Sequence, residues 1–173
     1  LVLNHLDLYI GIYKQCQKKW LKMSFKIYKN ILKKTEKEKL LKFIKKEVRD
    51  LKGEFPCLQT LSNIYLKPEM KTFVKSIEKY IKPHKIFRCW GVCSIGDVIA
   101  WHQHHNCKFS FVYYLHNPDN VGTMFLKPKE YYNLVEYSKG VENTLLKFDG
   151  TQLHSTPNTY KKTKRYTISI DIR

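Results

Sequence analysis

The chain of 173 residues is long enough for one domain with a buried core, and we expect a single domain over residues 1–173. Its hydrophobic share of 43% and aromatic share of 14% argue against a disordered protein. Lysines interrupt every apolar stretch before it reaches the roughly eighteen residues of a membrane span, so we expect no membrane partner. Residues 1–12 lack the basic start and cleavage site of a secretory signal, and we interpret them as part of the fold or an extension.

The net charge of +17 favours anionic partners, and the first 50 residues hold 14 Lys and Arg against 5 Asp and Glu. Only four of the 32 basic residues are arginines, which usually make the bidentate contacts with bases and phosphates. Nucleic acid therefore stays open as a partner but is not favoured. The five cysteines show no CxxC spacing, which indicates reduced thiols and a cytoplasmic location, and we expect Cys89 and Cys93 to be buried.

The N-terminal third is predicted to be helical. Thr35 followed by Glu38 has the spacing of a capping box and predicts a helix start. Apolar residues follow it at helical spacing: Leu40, Leu41, Ile44 and Val48. A second helix is predicted to begin near Pro68, a favoured first-turn residue, and to end at Pro83. Its predicted buried stripe consists of Leu66, Met70, Phe73, Val74, Ile77 and Ile81.

From residue 86 the apolar period changes to two, which predicts strands. The predicted strands are 87–95, 98–104, 109–115, 123–126, 144–148 and 166–172. Helices followed by short, evenly spaced strands predict a mainly β fold with N-terminal helices (α+β), a barrel or sandwich with helices packed on one side. Residues 1–85 would be mostly helical support and N-terminal extension, and residues 86–173 would carry the site. Trp90 and Trp101 are expected in the core.

Three histidines predict a metal site. His102 and His104 stand two residues apart in a predicted strand, so their side chains should point to the same side. His154 follows a turn about fifty residues later and could supply a third ligand from another strand. Three neutral imidazoles suit a divalent first-row metal, and we predict these three residues as metal ligands and catalytic residues.

A set of polar residues predicts an anion beside that metal. Arg165 opens the last predicted strand, and alternation places Thr167 and Ser169 on its face. Ser110, Val112 and Tyr114 likewise share one face of an earlier strand. An arginine can pair with a carboxylate through two hydrogen bonds, and the tyrosine hydroxyl could add another. The residues alone therefore predict a pocket for a metal and a small carboxylate.

His102-Gln103-His104, His154 and Arg165, in this order, resemble the pattern of the iron(II)- and 2-oxoglutarate-dependent oxygenases. That family has His-x-Asp/Glu, a distal His and an Arg roughly ten residues later. Segments 109–115, 122–125 and 145–150 are similar to the prolyl-hydroxylase-like branch. The chain looks most like a phage and marine-microbe subgroup with His-x-His in place of His-x-Asp. The resemblance covers residues 86–173 closely, residues 24–85 only in general layout, and residues 1–22 not at all.

The resemblance implies a double-stranded β-helix, or jelly roll, and a hydroxylase that couples substrate C–H oxidation to decarboxylation of 2-oxoglutarate to succinate. It implies iron(II) at the three histidines, O2 as co-substrate and ascorbate as an optional reductant. The co-substrate would be bound by Arg165, Tyr114, Thr167, Ser110 and Val112. The substrate would be a protein or peptide side chain or a small molecule. The cytoplasm would be that of the host cell if the chain is virus-encoded.

His104 is the main departure from the family, because it stands where a carboxylate ligand is usual. The replacement raises the charge of the site by one and removes a hard oxygen ligand, so whether His104 binds the metal stays open. Two other functions also stay open. One is a three-histidine dioxygenase of cupin type that does not use 2-oxoglutarate, with Arg165 binding a substrate carboxylate. The other is a non-catalytic jelly roll that binds nucleic acid or sugar.

Overall fold

The computed structural model describes residues 25–51, 57–96, 99–128, 132–158 and 163–173, and the predictions for residues 1–24 lie outside these ranges. Within them the elements follow in the order β1 (Phe25–Lys29), α1 (Lys34–Glu47), β2 (Leu58–Gln59), α2 (Lys71–Ile81), β3 (Ile86–Ile95), β4 (Ile99–His102), β5 (Phe109–His116), β6 (Thr123–Pro128), β7 (Asn133–Ser138), β8 (Thr144–Asp149), β9 (His154–Thr156) and β10 (Lys164–Ile172). Two short 3-10 turns, Ile64–Leu66 and Pro68–Met70, precede α2. No helix in the described part of the chain is long and apolar enough to cross a membrane.

The strands form two antiparallel sheets, which confirms the prediction of a mainly β fold. The larger sheet has the order β1-β8-β5-β10-β3-β2, and the smaller one has the order β4-β9-β6-β7. The last strand, β10, lies between β3 and β5 and pairs with both of them. Since most neighbouring strands are not consecutive in sequence, residues from distant parts of the sequence come together on each face.

One face of the larger sheet packs in the main hydrophobic core. Its members alternate along the three central strands: Cys89 and Cys93 on β3, Phe111, Tyr113 and Leu115 on β5, and Ile168 and Ile170 on β10. Leu40 and Ile44 of α1 belong to the same buried cluster, as do Phe73 and Ile77 of α2. A Cβ atom at Gly91 would lie 3.0 Å from Cγ2 of Ile44, so the glycine allows α1 to approach β3 closely. The predicted burial of Cys89 and Cys93 is confirmed.

Several predictions in the N-terminal half are wrong. The first helix begins at Lys34, and Glu36 Oε2 accepts a hydrogen bond from the backbone N–H of Lys33, at 3.0 Å, so Thr35 lies inside the helix. Leu66 is 70% exposed because the 3-10 turn that contains it precedes α2 and does not continue its apolar stripe. β1 was not predicted, because lysines interrupt its short sequence, Phe-Lys-Ile-Tyr-Lys, at an edge of the sheet.

Three predictions near the histidines also differ from the structure. β4 ends at His102, so His104 lies in the segment after the strand and not within it. Trp101 is 40% exposed, and Trp90 is only partly buried and lines a cleft, so neither belongs to the core. β7, with exposed Leu134, Val135 and Tyr137, was not predicted, because its apolar residues do not alternate with polar ones in a way that marks a buried face.

Candidate metal centre

Strand pairing brings the three histidines together. β4 and β9 pair antiparallel, and His102 is the direct partner of His154. The segment after β4 turns back, and the backbone N–H of His104 donates to the carbonyl of Gly150 at 2.8 Å, just before β9. The ring centroids lie 4.2 Å apart for His102 and His154, 5.0 Å for His104 and His154, and 5.2 Å for His102 and His104. One nitrogen from each ring lies within 4.8 Å of the other two, so the three residues could hold one metal ion.

Hydrogen bonds set the tautomer of each ring. Nδ1 of His102 contacts the carbonyl of Ala100 at 2.7 Å, and Nδ1 of His154 contacts the carbonyl of Gln152 at 2.9 Å. Nδ1 of His104 contacts Oδ1 of Asp171 at 2.6 Å. Carbonyl and carboxylate oxygens only accept hydrogen bonds, so each Nδ1 carries a proton, and in the neutral form of each ring the lone pair is on Nε2. The donor set therefore fits a metal bound through three Nε2 atoms.

Burial favours the neutral form of two of these rings. Burial, together with the neighbouring His102, lowers the pKa of His154 to about 3. Burial also lowers the pKa of His102 below its ordinary value, and the nearby His104 acts in the same direction. A neutral imidazole can bind a metal and an imidazolium cannot, so both residues are ready to coordinate at neutral pH.

Asp171 is a functional residue that the sequence reasoning missed. It is fully buried, and its direct partners across the strands are Ser110 on β5 and Arg88 on β3. Burial alone would raise the pKa of Asp171, but the hydrogen bonds from His104 and Ser110 and the charge of Arg88 hold it below its ordinary value. The alternation that places Arg165, Thr167 and Ser169 on one face of β10 places Asp171 there too, so the sequence could have indicated the face of Asp171 but not its contact with His104.

A cleft of about 860 Å³ lies over this face of the larger sheet. The three histidines line it, and so do Arg165, Tyr114, Thr167 and Val112. Arg88 and Arg165 both line the cleft, and no aspartate or glutamate is among its described lining residues. Within the part of the chain that can be described, the cleft is therefore suited to neutral or anionic ligands.

The strand register explains how the polar residues reach the cleft. Thr167 is the direct partner of Tyr114 on β5, and Ser169 is the partner of Val112. Arg165 is buried, and its guanidinium donates to Oγ of Ser94 at 3.2 Å and to Oγ1 of Thr156 at 3.4 Å. These contacts hold the planar group in one orientation at the wall of the cleft, which suits the bidentate binding of a carboxylate.

Two further residues differ in their surroundings. The Tyr114 hydroxyl is 2.8 Å from Oγ1 of Thr123, and burial raises the pKa of Tyr114 to about 12, so the hydroxyl keeps its proton at neutral pH. Ser110 does not line the cleft, and its hydroxyl donates to Oδ1 of Asp171 at 2.8 Å and lies 2.9 Å from Nδ1 of His104. We predicted Ser110 as a co-substrate contact, and in the structure its hydroxyl contacts Asp171 and His104.

Neither models of protein families nor curated protein sequences match the chain. Solved structures do. HygX from Streptomyces hygroscopicus, with nickel and 2-oxoglutarate bound, has a TM-score of 0.66 at 10% identity, over 86% of this chain and 82% of that one. A Pseudomonas putida prolyl-4-hydroxylase has a TM-score of 0.64 at 11% identity, over 90% of this chain and 95% of that one. A viral collagen prolyl hydroxylase from Paramecium Bursaria Chlorella virus-1, in its 2-oxoglutarate complex, has a TM-score of 0.62 at 14% identity, over 87% of this chain and 96% of that one. These similarities show that the chain has the jelly-roll fold of these oxygenases.

Proposed function

We propose that the chain is an iron(II)- and 2-oxoglutarate-dependent dioxygenase of the hydroxylase type. The observation that carries the proposal is the set of three Nε2 atoms left free to bind a metal in the cleft that Arg165 lines. The jelly-roll fold, shared with oxygenases whose structures contain nickel or iron and 2-oxoglutarate, supports the same chemistry. Bound iron(II) would supply oxygen activation, coupling the decarboxylation of 2-oxoglutarate to succinate with oxidation of a substrate C–H bond, and ascorbate is an optional reductant.

In this proposal His102, His104 and His154 hold the metal through Nε2. Arg165 binds the far carboxylate of 2-oxoglutarate, and its hydrogen bonds to Ser94 and Thr156 keep the guanidinium in position. The Tyr114 hydroxyl stays protonated and can donate to the same carboxylate, while Thr167 lies beside it on the next strand. Val112 lines the cleft two residues before Tyr114 on β5 and helps to exclude water.

The substrate we propose is a side chain of a protein or peptide. Beside the proposed metal and co-substrate residues, the cleft is lined by apolar and polar residues from two parts of the chain: Leu51, Gln59, Leu61, Phe87 and Trp90. A wall of this composition suits an extended peptide, and one similar structure is a Trichoplax adhaerens prolyl hydroxylase with a peptide fragment. A small molecule is the next choice, since another is HygX with hygromycin B bound. The scarcity of arginine disfavours nucleic acid.

We also propose that the chain works as one domain. Every proposed metal and co-substrate residue lies in 86–173. Ile44 and Phe73 of the helices belong to the core. The strand residues of that core alternate in sequence with strand residues that line the cleft. The helical part would therefore support the sheet from behind the site and, through Leu51 and residues 59–62, form one wall for the substrate.

A second function is favoured by the donor set itself. Three imidazole ligands, without a carboxylate ligand, would also suit a three-histidine dioxygenase that does not use 2-oxoglutarate. Arg165 would then bind a carboxylate of the substrate directly. The two functions differ in one requirement, because only the first consumes 2-oxoglutarate.

One assay separates them. The protein, prepared without metal, is supplied with iron(II), ascorbate and labelled 2-oxoglutarate, and succinate is measured with and without added peptides. The proposal expects succinate formation that is lost in His154→Ala and Arg165→Ala and kept in His84→Gln, a histidine that does not line the cleft. Stoichiometric metal binding without any succinate would support the three-histidine dioxygenase. Absence of metal binding would contradict both functions.

A further inference from the structure

The three histidines are not equivalent, because only one of them contacts a charged group. Nδ1 of His102 and of His154 donates to a backbone carbonyl, which is neutral. Nδ1 of His104 donates to the carboxylate of Asp171. His104 also occupies the position at which the resembled family has its carboxylate ligand. The negative charge that is missing from the donor set is therefore present one imidazole ring further from the metal.

Asp171 is held as an anion by donors from two strands, β3 and β5, and from the segment before β5. Its Oδ1 accepts hydrogen bonds from Nδ1 of His104 and from the hydroxyl of Ser110, and its Oδ2 accepts from Nε and Nη2 of Arg88. The side chain of Asp171 is fully buried, whereas that of Arg88 is 40% exposed and reaches the cleft. A buried carboxylate with this many donors, one of them a guanidinium, stays ionised and fixed in place.

We propose that Asp171 is the positioning residue that replaces the missing carboxylate ligand: through His104 it supplies negative charge to the metal and fixes Nε2 toward it. Ser110 and Arg88 hold Asp171 in this role. The inference rests on the proposed metal site but not on the use of 2-oxoglutarate. A carboxylate that accepts the Nδ1 proton makes the opposite ring nitrogen a stronger donor, and such partners commonly change metal affinity by about 10–100-fold.

The first test is a titration of the metal-free protein with cobalt(II), followed by absorption spectroscopy. Asp171→Asn keeps the size of the side chain and removes its charge, and we expect the dissociation constant to rise about 10–100-fold with a changed ligand-field spectrum. Glu142→Gln is the matched control, because it removes the charge of a carboxylate that pairs with Lys37 and does not line the cleft, and we expect a change of less than about threefold. Equal effects of the two substitutions would overturn the proposal.

A rescue tests the exchange of roles directly. His104→Asp recreates the His-x-Asp pattern but places a second carboxylate beside Asp171, so the single variant should bind cobalt(II) weakly. In the double variant His104→Asp, Asp171→Asn the charge has moved from behind the ring to the ligand position. We expect the double variant to bind cobalt(II) at least about tenfold more tightly than either single variant, a non-additive result. Additive losses would overturn the proposal.

A measurement on the unchanged protein does not depend on whether a variant folds. Long-range nitrogen–proton NMR correlations of the metal-free protein report the tautomer of each histidine, and we expect His104 with its proton on Nδ1. A proton on Nε2 with none on Nδ1 would overturn the proposal, because Nδ1 could then not donate to Asp171. Succinate formation is measured separately. If succinate is absent and the cobalt(II) results are as expected above, only the proposed function is contradicted. If Asp171→Asn leaves the cobalt(II) affinity unchanged, only this inference is contradicted.

Discussion

Acid should destabilise the metal-free protein through His154. Burial, with the neighbouring His102, lowers the pKa of this residue from 6.5 to about 3 in the folded state. Between these pH values the unfolded chain binds a proton that the folded chain does not, so the free energy of unfolding rises with pH. At about 1.4 kcal/mol per pH unit, the whole interval corresponds to about 5 kcal/mol, and the part from about pH 6.5 to about pH 5 to about 2 kcal/mol. His102, whose pKa is also lowered, acts in the same direction.

Urea unfolding of chelator-treated protein at about pH 7.5, 6 and 5 measures this effect. His154→Gln keeps a neutral polar side chain that takes up no proton, so its stability should fall by about 2 kcal/mol less than that of the unchanged protein over this range. His84→Gln is the control and should keep the full pH dependence. The pKa of Asp171 is lowered from its ordinary value of 3.8, so its contribution to stability is fully present above about pH 3.8 and is lost only in stronger acid. Parallel pH profiles for the unchanged protein and His154→Gln would refute the reasoning.

The other predictions concern packing and the co-substrate. Ile44→Ala, at a fully buried site, should lower the free energy of unfolding by about 2–5 kcal/mol. Leu66→Ala, at a side chain 70% exposed, should change it by less than about 0.5 kcal/mol. Equal losses in urea unfolding would contradict the packing of α1. Gly91→Val should cost about 1–3 kcal/mol in the same assay, because a Cβ there already lies 3.0 Å from Ile44, and unchanged stability would rule out this close approach. Arg165→Lys keeps the charge but loses the planar fork, so KM for 2-oxoglutarate should rise about tenfold or more with cobalt(II) affinity unchanged; an unchanged KM would remove Arg165 from the co-substrate site.

The period-two pattern of the sequence predicted the part of the site that depends on single strands. Alternation placed Arg165, Thr167 and Ser169 on one face of the last strand, and in the structure all three line the cleft. Such a pattern is local, because successive side chains of a strand point to opposite faces whatever the strand pairs with. The mainly β fold followed from the same pattern.

The parts that could not be predicted depend on contacts between distant residues. Asp171 became a partner of His104 only because β10 lies between β3 and β5, with Arg88 and Ser110 opposite it, and no local pattern gives that strand order. The expectation that Trp90 lies in the core was wrong for the same reason. Alternation shows which residues of β3 share a face, but only the packed structure shows that the face of Trp90 lines the cleft. Thr35 is not the cap because the helix begins after Lys33, two residues earlier, where the carboxylate of Glu36 accepts a hydrogen bond from the Lys33 backbone N–H.

A crystal structure of the protein with iron(II) and 2-oxoglutarate, grown without oxygen and measured at the iron absorption edge, tests the proposed metal site most directly. The expected result is one anomalous peak bound by Nε2 of His102, His104 and His154, with the far carboxylate of 2-oxoglutarate on Arg165. A peak between His104, Cys107 and Asp171, whose ligand atoms also lie within 4.8 Å of one another, would contradict it. So would a metal held without His104, or 2-oxoglutarate bound away from Arg165.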